Sequence, residues 1–212
     1  MNGTQARRCT FESVEQLVLE NRHTGERLAL RRVMRDGVLC LELKGTLPPR
    51  NQGPPLHIHH VEIEEGQVLA GTLGAVLDGR QIRVGPGQRA KFPAGSPHRW
   101  WNDSDEVLVL EGHSYPLADL DRYLQGAFEA LNSGPPDRPP LFYMAHLVWR
   151  HRRTQTVLFA PRWIQAVLVP AVVLVGTLLG RYRGTGWPGC PDRCTDAPLA
   201  PDSADFSPGQ AN

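Results

Sequence analysis

Between residue 10 and about residue 116 the apolar positions come in short runs, such as LALRRV, VLCLELKG, QVLAGTLGAVL and EVLVLEG, each set off by turn signals. Runs of this length at this spacing predict β-strands packed as a sandwich or barrel. One turn is explicit: Asp78-Gly79, between AVL and RQIRV, is a hairpin dipeptide. The period then changes. Over residues 117–132, Leu117, Leu120, Tyr123, Leu124, Phe128 and Leu131 fall on one side of a helix. SGPPDRPP, residues 133–140, makes a stiff break. Beyond it come LFYMAHLVWRHRR and then APRWIQAVLVPAVVLVGTLLGRYRG. Residues 184–212 are mostly Gly, Pro, Asp, Ser and Ala, with few large apolar groups, which predicts a disordered tail. The expected fold is mainly β, one domain followed by C-terminal helices: an N-terminal strand or arm at 1–25, the β domain at 26–116, and a helical extension at 117–183. A chain cut after about Pro136 is expected to keep a folded barrel.

Composition narrows the function classes. Apolar residues make up 41% of the 212, enough for a sizeable core, and 21 Gly with 19 Pro favour tight turns. Lys plus Arg number 23 against 22 Asp plus Glu, which gives no electrostatic case for nucleic acid as a partner. The opening MNGTQARRCTFES lacks the apolar run of a signal peptide. Four scattered cysteines do not make a disulfide framework. A cytoplasmic barrel is the expectation.

The stretch HIHHVEIEEG, residues 57–66, sets three histidines and three carboxylates in ten positions. A packed core does not tolerate such groups unpaired. In a strand, alternate side chains share a face, so His57 and His59 can close on one ion while His60 points away. Glu64 is the better acidic partner, reached by a bend past His59. Glu62 shares the parity, and parity alone leaves both open. A further ligand is expected from GQRAKFPAGSPHRWWN, where His98 follows a Pro-Gly turn. Imidazoles with one carboxylate suit one divalent transition metal: Mn, Fe, Ni, Zn or Cu.

These two stretches resemble the motifs of the cupins. The first motif is matched by His57, Ile58, His59, then Glu64 after four residues and Gly71 after six more. The leading glycine is displaced, since Gly53 stands closer to His57 than the pattern asks. The second motif is matched at every position by Gly87, Pro93, Gly95, His98 and Asn102, with 15 residues between the motifs. The resemblance covers about residues 26–116. It implies a double-stranded β-helix barrel with a metal inside, held by His57, His59, Glu64 and His98, and it selects Glu64 over Glu62 and Glu65. The order of barrel, Pro-rich break and helices is also similar to small bacterial cupins with a helical extension.

The implied function is a metal-dependent oxygenase or isomerase of a small organic substrate, with Glu64 doubling as a catalytic base. The alternative is a non-catalytic cupin that binds or senses a small ligand while tethered at a membrane, and a third role is a dimerisation unit. No helix-turn-helix pattern points to transcription. His60, His113, His146 and His151 read as surface or capping residues. Trp100 shares strand parity with His98, and faces either the pocket or ordinary core; Trp101 faces outward or into a flanking sheet. Cys190 and Cys194 read as part of the flexible tail, and Arg150, His151, Arg152 and Arg153 as a solvated helix end or a contact to lipid headgroups. Ile164 to Gly180 carries no charge over 17 positions, roughly 25 Å as a helix and short for a bilayer. Arg162-Trp163 before it and Arg181-Tyr182-Arg183 after it look like interfacial anchors. This segment is expected either to enter a membrane or to dock on the barrel or on a second copy in a homodimer.

Overall fold

A computed structural model of the chain describes residues 16–136 and 138–182. The elements in chain order are β1 (Leu17–Glu20), β2 (Arg27–Arg35), β3 (Val38–Leu47), β4 (His57–His59), β5 (Ile63–Ala70), β6 (Leu73–Leu77), β7 (Arg80–Val84), β8 (Arg89–Phe92), β9 (His98–Asn102), β10 (Leu108–Tyr115), α1 (Leu120–Asn132), α2 (Leu141–Arg150), β11 (Gln155–Val157) and α3 (Arg162–Leu178). Two antiparallel sheets face each other. One runs β1-β2-β3-β10-β5-β8 and the other β11-β4-β9-β6-β7.

The alternation seen in the sequence is what builds the core. On β3, Leu41, Leu43 and Leu47 turn inward while Glu42 and Lys44 turn out. On β10, Leu108 and Leu110 face them, with Leu108 and Leu47 paired across the strands and both fully buried. Full burial of a Leu stabilises by about 1.5–3 kcal/mol, so this central pairing anchors the larger sheet. Asp78-Gly79 forms the β6–β7 hairpin with φ of 48° and 78°. A second Asp-Gly pair, Asp36-Gly37, forms the β2–β3 hairpin with φ of 50° and 77°. Both are the positive-φ pairs that a tight two-residue turn requires.

α1 begins at Leu120, three residues later than the periodicity predicts, and Leu117 still packs on the core. Leu120 and Phe128 are buried in the barrel core, with Tyr123 and Leu124 packed against it. Arg32, on the same side of β2 as Leu28 and Leu30, forms an ion pair with Asp121 of α1. α2 then packs on α1: Leu147 sits where a side chain on Gly126 would fall, and Ala130, Tyr143 and Leu147 form a second small core.

The extension does not stop at the helices. β11 lies beyond the Pro-rich break and pairs with β4, setting Gln155 against His59 and Val157 against His57. Residues that the sequence places in an appendage therefore supply an edge strand to a barrel sheet.

The membrane-crossing reading of 164–180 is not supported: no helix among the described residues is long and apolar enough to cross a membrane. α3 has 17 residues, with Pro170 inside it. It docks on α2: Tyr182 donates to the Phe142 carbonyl at 3.1 Å, and the missing side chain of Gly176 makes room for Tyr182 and Phe142. Residues 184–212, including Cys190 and Cys194, lie outside the described residues, as do residues 1–15 and Arg183.

Candidate metal centre

β4 is three residues long, and its alternation places His57 and His59 on the inner side, with His60 outside. His60 Nε2 meets Thr156 Oγ1 at 2.8 Å on that outer side. β9 runs antiparallel to β4 and sets His98 opposite His57. β5 begins at Ile63, so Glu62 precedes the strand, Glu64 points into the barrel and Glu65 points out to Lys91 and Tyr115.

One ligand atom from each of His57, His59, Glu64 and His98 lies within 4.8 Å of all the others. His57 Nε2 and His59 Nε2 are 3.0 Å apart. Glu64 Oε2 stands 3.6 Å from His59 Nε2 and 3.4 Å from His98 Nε2. Two atoms each about 2.1 Å from a common ion are separated by about 3.0 Å at a right angle and about 3.4 Å at the tetrahedral angle. The observed separations are of that size. The outer nitrogens of two rings are already committed: His57 Nδ1 to the Pro55 carbonyl at 2.8 Å and His98 Nδ1 to the Ser96 carbonyl at 2.9 Å. Those bonds fix the rings so that Nε2 faces inward, the arrangement that orients metal-binding histidines. Glu64 Oε2 and His98 Nε2 are buried and have no hydrogen-bond partner. A buried carboxylate oxygen and imidazole nitrogen left in that state are costly, and a shared cation removes the cost. The donor set, its spacing and its orphaned atoms therefore fit a metal ion.

The electrostatics agree. Burial, and then the neighbouring His59 and His98, push the His57 imidazole down to about 3, so it is neutral at ordinary pH and able to ligate. Burial alone would raise Glu64, but the facing His59 and His98 outweigh it and hold the carboxyl below the usual carboxylate range.

Around the cluster the walls are apolar. A cavity of about 60 Å³ is lined by His57, His59 and Glu64 together with Leu43, Trp100, Leu120, Tyr123, Leu124 and Val157. That is room for a few waters or a molecule of a few heavy atoms. Trp100, left open between core and pocket, is both: it is buried in the core cluster and lines the cavity. Trp101 packs over Gly74 of the neighbouring strand and under the Arg99 guanidinium, 5.3 Å from its ring. Three wall residues, Leu120, Tyr123 and Leu124, come from α1, and Val157 from β11. Parity within the barrel strands carries no information about them, although the helical stripe of 117–132 did mark the α1 residues as facing a core. A larger groove of about 640 Å³ lies on the outer face of the six-stranded sheet, where Arg31 and Arg35 are both bound to Glu42.

The remaining motif positions are structural. Gly53 has φ of 60°, and a side chain there would strike the Trp100 carbonyl; Gly71 has φ of 76° and lies against Leu108. Asn102 is buried, and its Nδ2 donates to the carbonyls of Leu47, Pro48 and Glu106 at 3.1, 2.9 and 2.7 Å, tying β9 to the ends of β3 and β10. Glu62 is fully buried outside the cluster. It accepts from the backbone N–H of Ala118 and Asp119 and from Gln155 Nε2, at 3.1, 3.3 and 3.3 Å. His151 ends α2, its N–H on the Leu147 carbonyl, but its side chain is buried rather than on the surface, with Nδ1 2.7 Å from Asp119 Oδ2. His113 stacks on Tyr115 and His146 on Tyr182, away from the cluster.

Residues 44–112, the stretch that holds all four ligand positions, match the family model described as "Cupin domain". The matched stretch is a cupin domain, as its two motifs implied. Among curated proteins, the chain is 37% identical over 75 residues to "Oxidoreductase iacF" of Pestalotiopsis fici, covering 34% of this chain and 37% of that one. It is 36% identical over 67 residues to "Probable oxidoreductase virH" of Hypocrea virens, covering 30% and 31%. The match thus spans only about a third of the length of either relative. Among solved structures it is similar to KdgF from Halomonas sp., at 21% identity and a TM-score of 0.39, over 46% of this chain and 84% of that one.

Proposed function

We propose that this cupin is a metal-dependent enzyme acting on a small organic substrate, most directly as an oxygenase, with isomerisation as the second chemistry. The observation that carries the reading is the convergence of His57, His59, Glu64 and His98, the first three of which line a small cavity whose other walls are apolar. The oxidoreductase names of the two partial relatives point the same way. A bound divalent transition metal would supply Lewis acidity and, if redox-active, electron transfer.

The chain's own residues have separable tasks. His57 and His98, their outer nitrogens held by backbone carbonyls, present fixed Nε2 lone pairs. His59 and Glu64 complete the set. Glu64 is the carboxylate that lines the cavity, so a proton passed to or from substrate goes through it. Trp100 and Tyr123 offer aromatic faces that orient a flat substrate, and with Leu120 and Leu124 they exclude water from the reacting group. The small size of the cavity also supports a second reading, a cupin that holds or senses a compact ligand without turnover.

Metal analysis of purified protein, followed by oxygen uptake across a panel of small substrates, tests these readings. Turnover with Fe, Mn, Ni or Cu but not Zn supports the oxygenase, because zinc has no redox chemistry. Turnover with zinc supports the isomerase. A ligand that raises Tm without being consumed supports the binding module. Protein that takes up no metal overturns both enzyme readings, and protein that also shows no ligand-induced shift in Tm overturns all three.

A further inference from the structure

The residues 138–182 contain six arginines and no acidic residue. The whole chain has 23 basic and 22 acidic side chains, so the rest is left with 17 and 22 and is net acidic. The positive charge is thus concentrated in the segment that carries α2, β11 and α3. The same segment holds the most exposed apolar surface among the described residues: Trp163 is 74% exposed, Val167 70%, Leu174 60% and Leu178 77%. At about 100° per residue these four fall within about 60° of one another around α3, and the exposed Leu168 and Val175 widen the face to about 140°. The opposite side of the helix, with Gln165, Val169 and Gly176, is buried. Arg162 opens the helix and Arg181 follows it.

We infer that this face of α3 is a docking surface for an anionic lipid membrane, on which the helix lies flat. Water does not leave so wide an apolar face uncovered without cost. At about 1.5 Å per residue, 17 residues reach about 25 Å, short of the roughly 30 Å hydrocarbon layer, so the helix lies in the interface and does not cross it. The polar side that an interfacial helix needs is replaced here by the packing against α2. Charge selects the occupant. A second copy laid on this face would bring arginines to arginines, with no carboxylate in the whole segment to meet them, whereas lipid phosphates meet them directly. Trp163, at the start of the helix, is a side chain that favours the headgroup level.

The test uses the full chain and does not depend on the metal reading. Sedimentation with phosphatidylcholine vesicles, with and without phosphatidylglycerol, is expected to show at least tenfold tighter binding to the anionic vesicles, weakening as salt is added. The double variant Val167→Asp, Leu174→Asp changes two exposed side chains, so its thermal unfolding is expected to match wild type while vesicle binding falls at least tenfold. Equal binding to both vesicle types, or undiminished binding by the variant, overturns the proposal. So does a chain that ignores vesicles, either as a monomer or as a dimer that the double variant dissociates.

Discussion

Two histidine–carboxylate groupings in this chain differ in one decisive respect. Within the barrel, His59 and His98 stand 3.6 and 3.4 Å from Glu64, too far for good hydrogen bonds and close enough to share an ion. At the seam between α1 and α2, His151 Nδ1 stands 2.7 Å from Asp119 Oδ2, a direct charge-assisted contact. Glu62 and Gln155 extend that seam toward β4. The first grouping leaves the Glu64 oxygen and the His98 nitrogen unpaired; the second uses its paired atoms to hold the extension onto the barrel. Burial and residue type alone would have classed the two alike. Separation and convergence tell them apart.

The largest way to break this comparison is to remove the seam entirely. A chain ending at Pro136 loses β11, α2 and His151, and β4 loses its edge partner. The pairing of β11 with β4 argues against a free-standing barrel: unfolding by denaturant is expected to show a loss of at least about 4 kcal/mol or no cooperative transition. A truncated chain with wild-type stability would show that the seam is ornamental.

Next in size is His98→Ala. It deletes a proposed ligand whose ring is held at Ser96, and metal affinity is expected to drop at least a hundredfold, about 2.7 kcal/mol, by metal titration. His60→Ala is the control, with occupancy unchanged, because its ring meets Thr156 on the other side of the strand. Equal loss in both would remove the assignment of inner and outer faces.

His151→Ala reads the second grouping. Metal content is expected to stay at wild-type level, while stability falls by about 2 kcal/mol because Asp119 is left without its partner. It also has a pH signature. Burial alone would raise Asp119, but His151, through its hydrogen bond and charge, together with Thr154, lowers it below the ordinary 3.8. A carboxyl depressed in the folded state contributes stability above its unfolded pKa and loses it as pH falls through the folded value. Wild type is therefore expected to weaken as pH drops below about 4, and His151→Ala to flatten that part of the profile. An unchanged acid limb in the variant would detach Asp119 from His151.

Glu62→Gln is the smallest. The amide still accepts from the N–H groups of Ala118 and Asp119, and Gln155 can reverse its own amide to offer its unpartnered Oε1. The expected cost is about 1 kcal/mol or less in thermal unfolding, with no change in metal content. A large metal loss would place Glu62 in the centre after all.

Much of the barrel was legible because its signals are local. The alternation of VLCLELKG survives as Leu41 and Leu43 facing in and Glu42 and Lys44 facing out. The parity of His57 and His59 against His60 needs only a strand. Asp36-Gly37 carried the same hairpin signal as Asp78-Gly79 and was readable in the same way. Parity did not make the choice of Glu64, since it allowed Glu62; the spacing of the cupin motif selected Glu64, and the start of β5 at Ile63 with the burial of Glu62 against Ala118 and Asp119 separates the two in space. His151 was illegible as a buried group because nothing in LVWRHRR announces a partner 32 residues upstream.

By itself, then, the sequence determined the strand pattern, the inward pair of histidines, the later arrival of His98 and the amphipathic helix after the barrel, because each depends on the chain's own periodicity or on spacing within one turn. Only the tertiary structure decided that Leu120, Tyr123, Leu124 and Val157 wall the cavity, that β11 completes the sheet bearing His57, His59 and His98, and that α3 leaves a wide apolar side uncovered by the described residues. Those outcomes depend on contacts between segments far apart in the chain, and no local pattern encodes which distant surface a given face will meet.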